Sequence, residues 1–138
     1  MQTTLPEPLE NEYKEVAWAL EKQGDKVKPI WIARPNCREF DVKFELLFCG
    51  ICHTDCHYGD NCFGRTVYPF VPGHELLGRV VEVGSSVTKF AVGDICAVGC
   101  FVDACLDCKY CKNGDENYCD NYTSTYNGTK KNGRVSGN

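Results

Sequence analysis

Four cysteines fall within fifteen consecutive residues, as Cys105-Leu-Asp-Cys108-Lys-Tyr-Cys111 and, after seven more residues, Cys119. Successive C-x-x-C steps let short backbone loops wrap four thiolates around one tetrahedral ion, and four thiolates close the coordination shell of zinc, so such a site is structural. The stretch from Gly99 to Cys119 is otherwise rich in lysine, asparagine and glycine. It has too little apolar surface to order itself, and a metal would supply that ordering, on the scale of ~10 to 16 kcal/mol known for small zinc modules. Lys109 and Lys112 can offset part of the negative charge. Two local disulfides or four unligated thiols are the competing readings. A redox C-x-x-C needs a strand-to-helix setting that this loop does not show.

The remaining composition narrows the class. Eleven cysteines is an odd number, and the opening residues MQTTLPEPLENEYKE lack the basic and apolar regions of a signal peptide. Metal ligands and free thiols in a reducing, cytoplasmic compartment are therefore expected, not a disulfide scaffold. Two N-x-T triplets, at Asn121 and Asn127, are a slight hint to the contrary. A formal charge of −4 lacks the basic footprint of a nucleic-acid binder. No apolar run approaches the ~20 residues that span a membrane. The length of 138 residues suits one domain with a core of its own.

Residues 1–15 are polar and without period, which predicts a flexible lead. Val16, Trp18 and Leu20 alternate, Gln23-Gly24-Asp25 supplies a turn, and Val27 to Ile32 is again apolar and β-branched, which favours a hairpin over the rival helix from Glu10 to Lys22. Val42, Phe44, Leu46 and Phe48 alternate with Lys43, Glu45 and Leu47, predicting a half-buried strand. Gly50 follows as a turn whose backbone freedom lets Cys52 to His57 form a short helical turn. Pro69 and Pro72 impose an extended lead into His74. Leu76 to Val83 and Ala91 to Val98 read as short strands, Gly99 to Cys119 as a loop, and Asp120 to Asn138 as a polar tail.

All three histidines, His53, His57 and His74, lie between Cys49 and Glu75, together with Cys52 and Cys56. Imidazoles and thiolates are the donors a borderline-soft ion takes, which makes Cys52 and His74 the core of a second candidate metal site.

The order and spacing of CGICHTD, VPGHE, VVEVGSSVTKFAVGD and the four-cysteine lobe resemble zinc-dependent medium-chain alcohol dehydrogenases, in particular the cinnamyl-alcohol-dehydrogenase-like branch. The resemblance covers about Val16 to the C-terminus. It implies a mainly β fold, the GroES-like partly open β-barrel of the catalytic domain over residues 16–138, with the structural zinc lobe at 100–119. It implies Cys52 and His74 as catalytic zinc ligands and Glu75 as the carboxylate that can approach the metal when water exchanges. Thr54 matches the hydroxyl that takes the substrate proton, and His57 the outer member of the relay. Asp55 matches the carboxylate that orients a metal-bound histidine, and His53 a position near the cofactor pyrophosphate. Cys105, Cys108, Cys111 and Cys119 match the structural ligands. The remaining cysteines, Cys37, Cys49, Cys56, Cys62, Cys96 and Cys100, are expected to be buried or partly buried thiols. Cys56 replaces the residue more usual beside the relay histidine.

The implied activity is the interconversion of primary alcohols and aldehydes with zinc and NADP(H). The implied partners are an alcohol or aldehyde, with neither nucleic acid nor membrane. Two family features are missing from these residues: a further catalytic cysteine beyond Cys119 and the G-x-G-x-x-G turn of a dinucleotide fold. The resemblance thus implies an N-terminal fragment, an incomplete barrel with no Rossmann domain, inactive alone and prone to associate through exposed apolar edges. A non-enzymatic zinc-binding module is the alternative.

Overall fold

Two segments dense in β-branched and aromatic residues pair first. β1 (Glu12–Ala19) and β2 (Lys28–Pro35) run antiparallel, with Val16 opposite Trp31 and Ala17 opposite Ile30. Gly24, at φ 77, lies within the turn between them, a conformation that suits glycine. The hairpin forms and the rival helix does not. It begins earlier than Val16 because β2 continues to Pro35 and offers Glu12 to Glu15 partners, reinforced by an Asn36 N–H bond to the Asn11 carbonyl at 2.9 Å. A computed structural model describes residues 7–126, with the backbone of Gly128–Thr129 and Val135–Ser136. The first six residues of the expected lead and the rest of the expected tail lie outside them.

The central sheet has the order β3-β4-β5, all antiparallel, from β3 (Val42–Cys49), β4 (Leu76–Val83) and β5 (Ile95–Val98). On β4 the pleat buries Leu76, Gly78 and Val80 and exposes Leu77, Arg79 and Val81. Phe44 lies over Gly78, where any side chain would meet its ring and the Glu45 carbonyl. Two expectations fail here. The half-buried face of β3 stops at Phe44, because register shifts follow Lys43 and Leu46 on an edge strand, and Leu46 and Phe48 are 50% and 70% exposed. Residues 91–94 are a turn, closed by the Asp94 N–H on the Ala91 carbonyl at 3.1 Å and by the Asp94 carboxylate accepting the Ala91 N–H at 2.8 Å.

A third layer surrounds the cysteines. The expected loop contains β6 (Phe101–Asp103), helix α2 (Lys109–Lys112) and a 3-10 turn at Glu116–Tyr118, and the expected tail supplies β7 (Thr123–Ser124), which pairs with β6. Strands this short carry no readable period. Thr125 is fully buried, its hydroxyl donating to the Gly99 carbonyl and its N–H to the Cys100 carbonyl at 3.2 Å. β8 (Gly128–Thr129) and β9 (Val135–Ser136) pair antiparallel. The result is mainly β, in open sheets, with no closed barrel among the described residues. No described helix is long and apolar enough to cross a membrane.

Candidate active site and metal centre

The helical turn after β3 and the proline-rich lead before β4 meet through one carboxylate. Helix α1 (His53–Gly59) starts at Cys52, whose backbone N–H donates to Asp55 Oδ2 at 3.0 Å, in the manner of a capping box. Asp55 Oδ1 accepts the Gly73 N–H at 2.8 Å and lies 3.3 Å from His74 Nδ1. Gly73 has φ 110, open to glycine but strained for other residues. With Nδ1 beside Asp55, Nε2 is the His74 atom left to ligate a metal, the arrangement in which a carboxylate fixes a metal-ligating imidazole.

Ligand atoms of Cys52, His74 and Glu75 lie within 4.8 Å of one another, so sulfur, nitrogen and oxygen donors face one point. The donor types suit zinc. Glu75 is exposed and folds over Gly50, where an added Cβ would collide with its side chain, while its carbonyl accepts the Gly50 N–H at 2.9 Å. Gly50 is thus needed for space. It is not among the glycines with positive φ, which corrects the expectation of a special backbone conformation.

Thr54 Oγ1 lies 3.4 Å from Cys52 Sγ and lines a cleft of about 320 Å³ together with His74 and Tyr126. His57 stacks on the exposed His53, ring centroids 4.5 Å apart. Among the described residues no hydrogen bond links Thr54 to His57, although both lie on α1. Sequence reasoning missed Tyr126. It is buried, meets His74 edge to face at 4.8 Å, and also touches Tyr58 and Phe70 at 5.0 and 5.2 Å. Burial pushes its phenol well up, helped by the nearby charge of Asp55. Phe70 exchanges backbone hydrogen bonds with Leu20 at 2.8 and 2.9 Å, which ties the β1–β2 hairpin to the His74 lead. Tyr58, Cys100, Tyr122 and Ser124 also line the cleft and had no sequence signal.

In the lobe the four Sγ atoms converge: Cys105–Cys111 at 3.9 Å, Cys108–Cys111 at 3.5 Å and Cys119–Cys105 at 3.5 Å. Four thiolates on one zinc lie about 3.8 Å apart, the tetrahedral edge implied by the usual zinc–sulfur bond. Backbone N–H groups of Cys108 and Asn121 donate to the sulfurs of Cys105 and Cys119 at 3.3 and 3.4 Å, and Cys105 N–H donates to Cys119 at 3.5 Å. The residues fit the ion. N–H donation at Asp107 and Cys108 lowers the Cys105 thiol to about 6, and burial pushes Cys111 up to about 12. Leu106 adopts φ 55, held there between Cys105 and Cys108.

Of the other six cysteines, two meet the expectation of burial and four depart from it. Cys96 is buried and Cys37 half-buried, but Cys49, Cys56, Cys62 and Cys100 are exposed. The four exposed ones lie on the edge strand β3 (Cys49), on α1 (Cys56), in the turn after it (Cys62) and between β5 and β6 (Cys100).

The chain is 50% identical over 101 residues to an aldehyde reductase of Escherichia coli strain K12, covering 73% of this chain and 29% of that protein. A cinnamyl alcohol dehydrogenase structure from Sorghum bicolor superposes with a TM-score of 0.86 at 40% identity, over 91% of this chain and 36% of that one. A cinnamyl alcohol dehydrogenase from Helicobacter pylori, complexed with NADP(H), superposes with a TM-score of 0.86 at 33% identity, over 91% and 37%. The chain therefore spans about a third of the length of the proteins it matches. Residues 38–137 match the family model described as the alcohol dehydrogenase GroES-like domain, and on that match the chain belongs to this family.

Proposed function

We propose that these residues carry metal-binding and proton-handling groups of a cytoplasmic, zinc-dependent oxidoreductase that interconverts primary alcohols and aldehydes with NADP(H). One observation carries the proposal: Asp55 holds the Cys52 backbone, the Gly73 backbone and His74 Nδ1 together, so that Cys52, His74 and Glu75 converge. When bound, zinc would polarise the substrate oxygen, and NADP(H) would exchange the electron pair of the redox step.

Cys52 and His74 would hold the metal, and Asp55 would keep His74 in the right tautomer. Thr54 Oγ1, facing the cleft, would take the substrate hydroxyl proton, and His57, one helical turn on, would pass it toward solvent. Glu75 would stand by for exchange at the metal, and exposed His53 would lie near the cofactor pyrophosphate. Family membership, the relatives' names and the NADP(H) complex of a structural neighbour support the activity and cofactor.

A second reading, a zinc-binding module without turnover by these residues alone, is favoured by the lobe, which draws all four thiols from this chain. Co²⁺ titration separates the sites, since a second Co²⁺–thiolate band lost in Cys52→Ser supports the Cys52–His74 centre and its absence overturns it. Oxidation of NADPH with an aromatic aldehyde by the zinc-loaded chain would exclude the module reading.

A further inference from the structure

Beside the candidate active site, two cavities share a wall. The larger, about 320 Å³, is the cleft lined by Thr54 and His74, and the smaller, about 130 Å³, opens onto Arg65. Tyr58, Tyr122 and Ser124 line both. We propose that Arg65 binds a carboxylate at the far end of an alcohol or aldehyde whose reacting oxygen lies by Thr54 and His74. This rests on the oxidoreductase reading above and deepens it, naming ω-carboxylated alcohols and aldehydes as the favoured substrate class.

Arg65 is held as a binding group would be. Its neighbour Thr66 is tied to the end of α1 twice, by its N–H to Asn61 Oδ1 at 2.9 Å and by its hydroxyl to the Tyr58 carbonyl at 2.7 Å. On its other side Gly64, at φ 65, donates its N–H to the Asn61 carbonyl at 2.9 Å. Phe63 packs against His57 and Tyr58 at 5.6 and 5.2 Å, and its ring lies 5.7 Å from the Arg65 guanidinium. The backbone on both sides of Arg65 is therefore fixed to the helix that supplies Thr54 and Tyr58.

The guanidinium forms no ion pair among the described residues. Its planar fork matches a carboxylate in two parallel hydrogen bonds, which a lysine ammonium cannot reproduce. A solvated surface arginine is the plain alternative, but it would not require a second cavity that shares Tyr58, Tyr122 and Ser124 with the cleft. Thr54 and Tyr58 are four residues apart on α1, so their side chains are neighbours about 6 Å apart. Arg65 lines one cavity and Thr54 the other, with Tyr58 lining both, so a substrate must be long enough to reach from one to the other. Short hydroxy acids should gain nothing from it.

The zinc-loaded chain is titrated by calorimetry with a graded series of linear ω-hydroxy carboxylates and their methyl esters. Long acids should bind about tenfold tighter than their esters, the size of one charge-assisted hydrogen bond at a partly exposed site. Arg65→Gln should close that gap, and Arg65→Lys should keep only part of it. Equal affinities for acid and ester, a gap that survives Arg65→Gln, or no binding by any acid overturns the proposal. Cys52→Ser and His74→Ala test the underlying reading separately. If acids and esters bind these variants undiminished while the Arg65-dependent gap persists, the active-site reading fails and the Arg65 contact stands. If both variants weaken binding but no acid preference exists, the Arg65 contact alone fails.

Discussion

Asp55 Oδ1 lies 3.3 Å from His74 Nδ1, although nineteen positions separate the two residues, and both side chains are nearly buried, at 12% exposed for His74 and 11% for Asp55. The same carboxylate accepts N–H groups of Cys52 and Gly73. One side chain thus sets the relative position of a thiol on the helix side and an imidazole on the strand side.

Asp55→Ala should therefore weaken Co²⁺ or Zn²⁺ binding at the Cys52–His74 centre by about 10- to 100-fold, the usual cost of losing a group that orients a ligating histidine. Asp55→Asn, which keeps an acceptor oxygen, should lose less. Metal titration of the three proteins checks this, with the lobe already filled. Equal affinity in Asp55→Ala would show that His74 is positioned by its packing on Tyr126 instead.

The lobe thiols make a pH prediction for the metal-free chain. Cys105 is lowered from 9.0 to about 6, so the stability it contributes is complete above pH 9, declines as the pH falls through that interval, and is gone below about pH 6. Cys111 is raised from 9.0 to about 12, so its contribution is complete below pH 9 and is lost as the pH rises toward 12. Stability of the metal-free lobe should rise from pH 6 to 9 and fall above, as followed by hydrogen exchange at residues 105–119. Alkylation at neutral pH, mapped by mass spectrometry, should modify Cys105 first among the four and Cys111 last, because the thiolate is the nucleophile.

Cysteine spacing and apolar, β-branched runs made part of this legible from the sequence. C-x-x-C is a local signal, so the convergence of the four lobe thiols could be expected without the fold, and β4 could be read because it is an apolar, valine-rich run ended by Gly84. Tyr126 could not, because its importance comes from Tyr58, Phe70 and His74, all more than fifty positions away. β6 and β7 are held by each other and are too short for a period. Gly50 was legible as a glycine of consequence but not for the right reason, since the need for space depends on Glu75 folding back over it. The exposure of Cys56 and Cys62 likewise depends on what surrounds α1, and a thiol's tendency to be buried says nothing of that.

Gly78→Ala should destabilise the chain by about 1 to 3 kcal/mol, the usual range for overpacking, because its new methyl would meet the Phe44 ring and the Glu45 backbone carbonyl. Gly99→Ala is the control: nothing lies within 4 Å of its added Cβ and its φ is not positive. It should stay within about 0.5 kcal/mol of the parent, as surface changes do. Urea denaturation of both variants checks the contrast, and equal midpoints would mean that β3 shifts freely at its bulges.

Tyr126→Ala tests the packing that supports His74. The ring meets Tyr58, Phe70 and His74, and removing it from a buried position should cost about 3 to 5 kcal/mol through lost burial and the cavity left behind. Tyr126→Phe preserves all three ring contacts and should cost much less. The lobe cysteines do not depend on that ring, so zinc content at Cys105, Cys108, Cys111 and Cys119 should match in both variants when measured below their unfolding transitions. Affinity at the Cys52–His74 centre should fall only in Tyr126→Ala. An equal fall in Tyr126→Phe would move the effect from the ring to its hydroxyl, and loss of lobe zinc in Tyr126→Ala would show that the two metal sites fold as one unit.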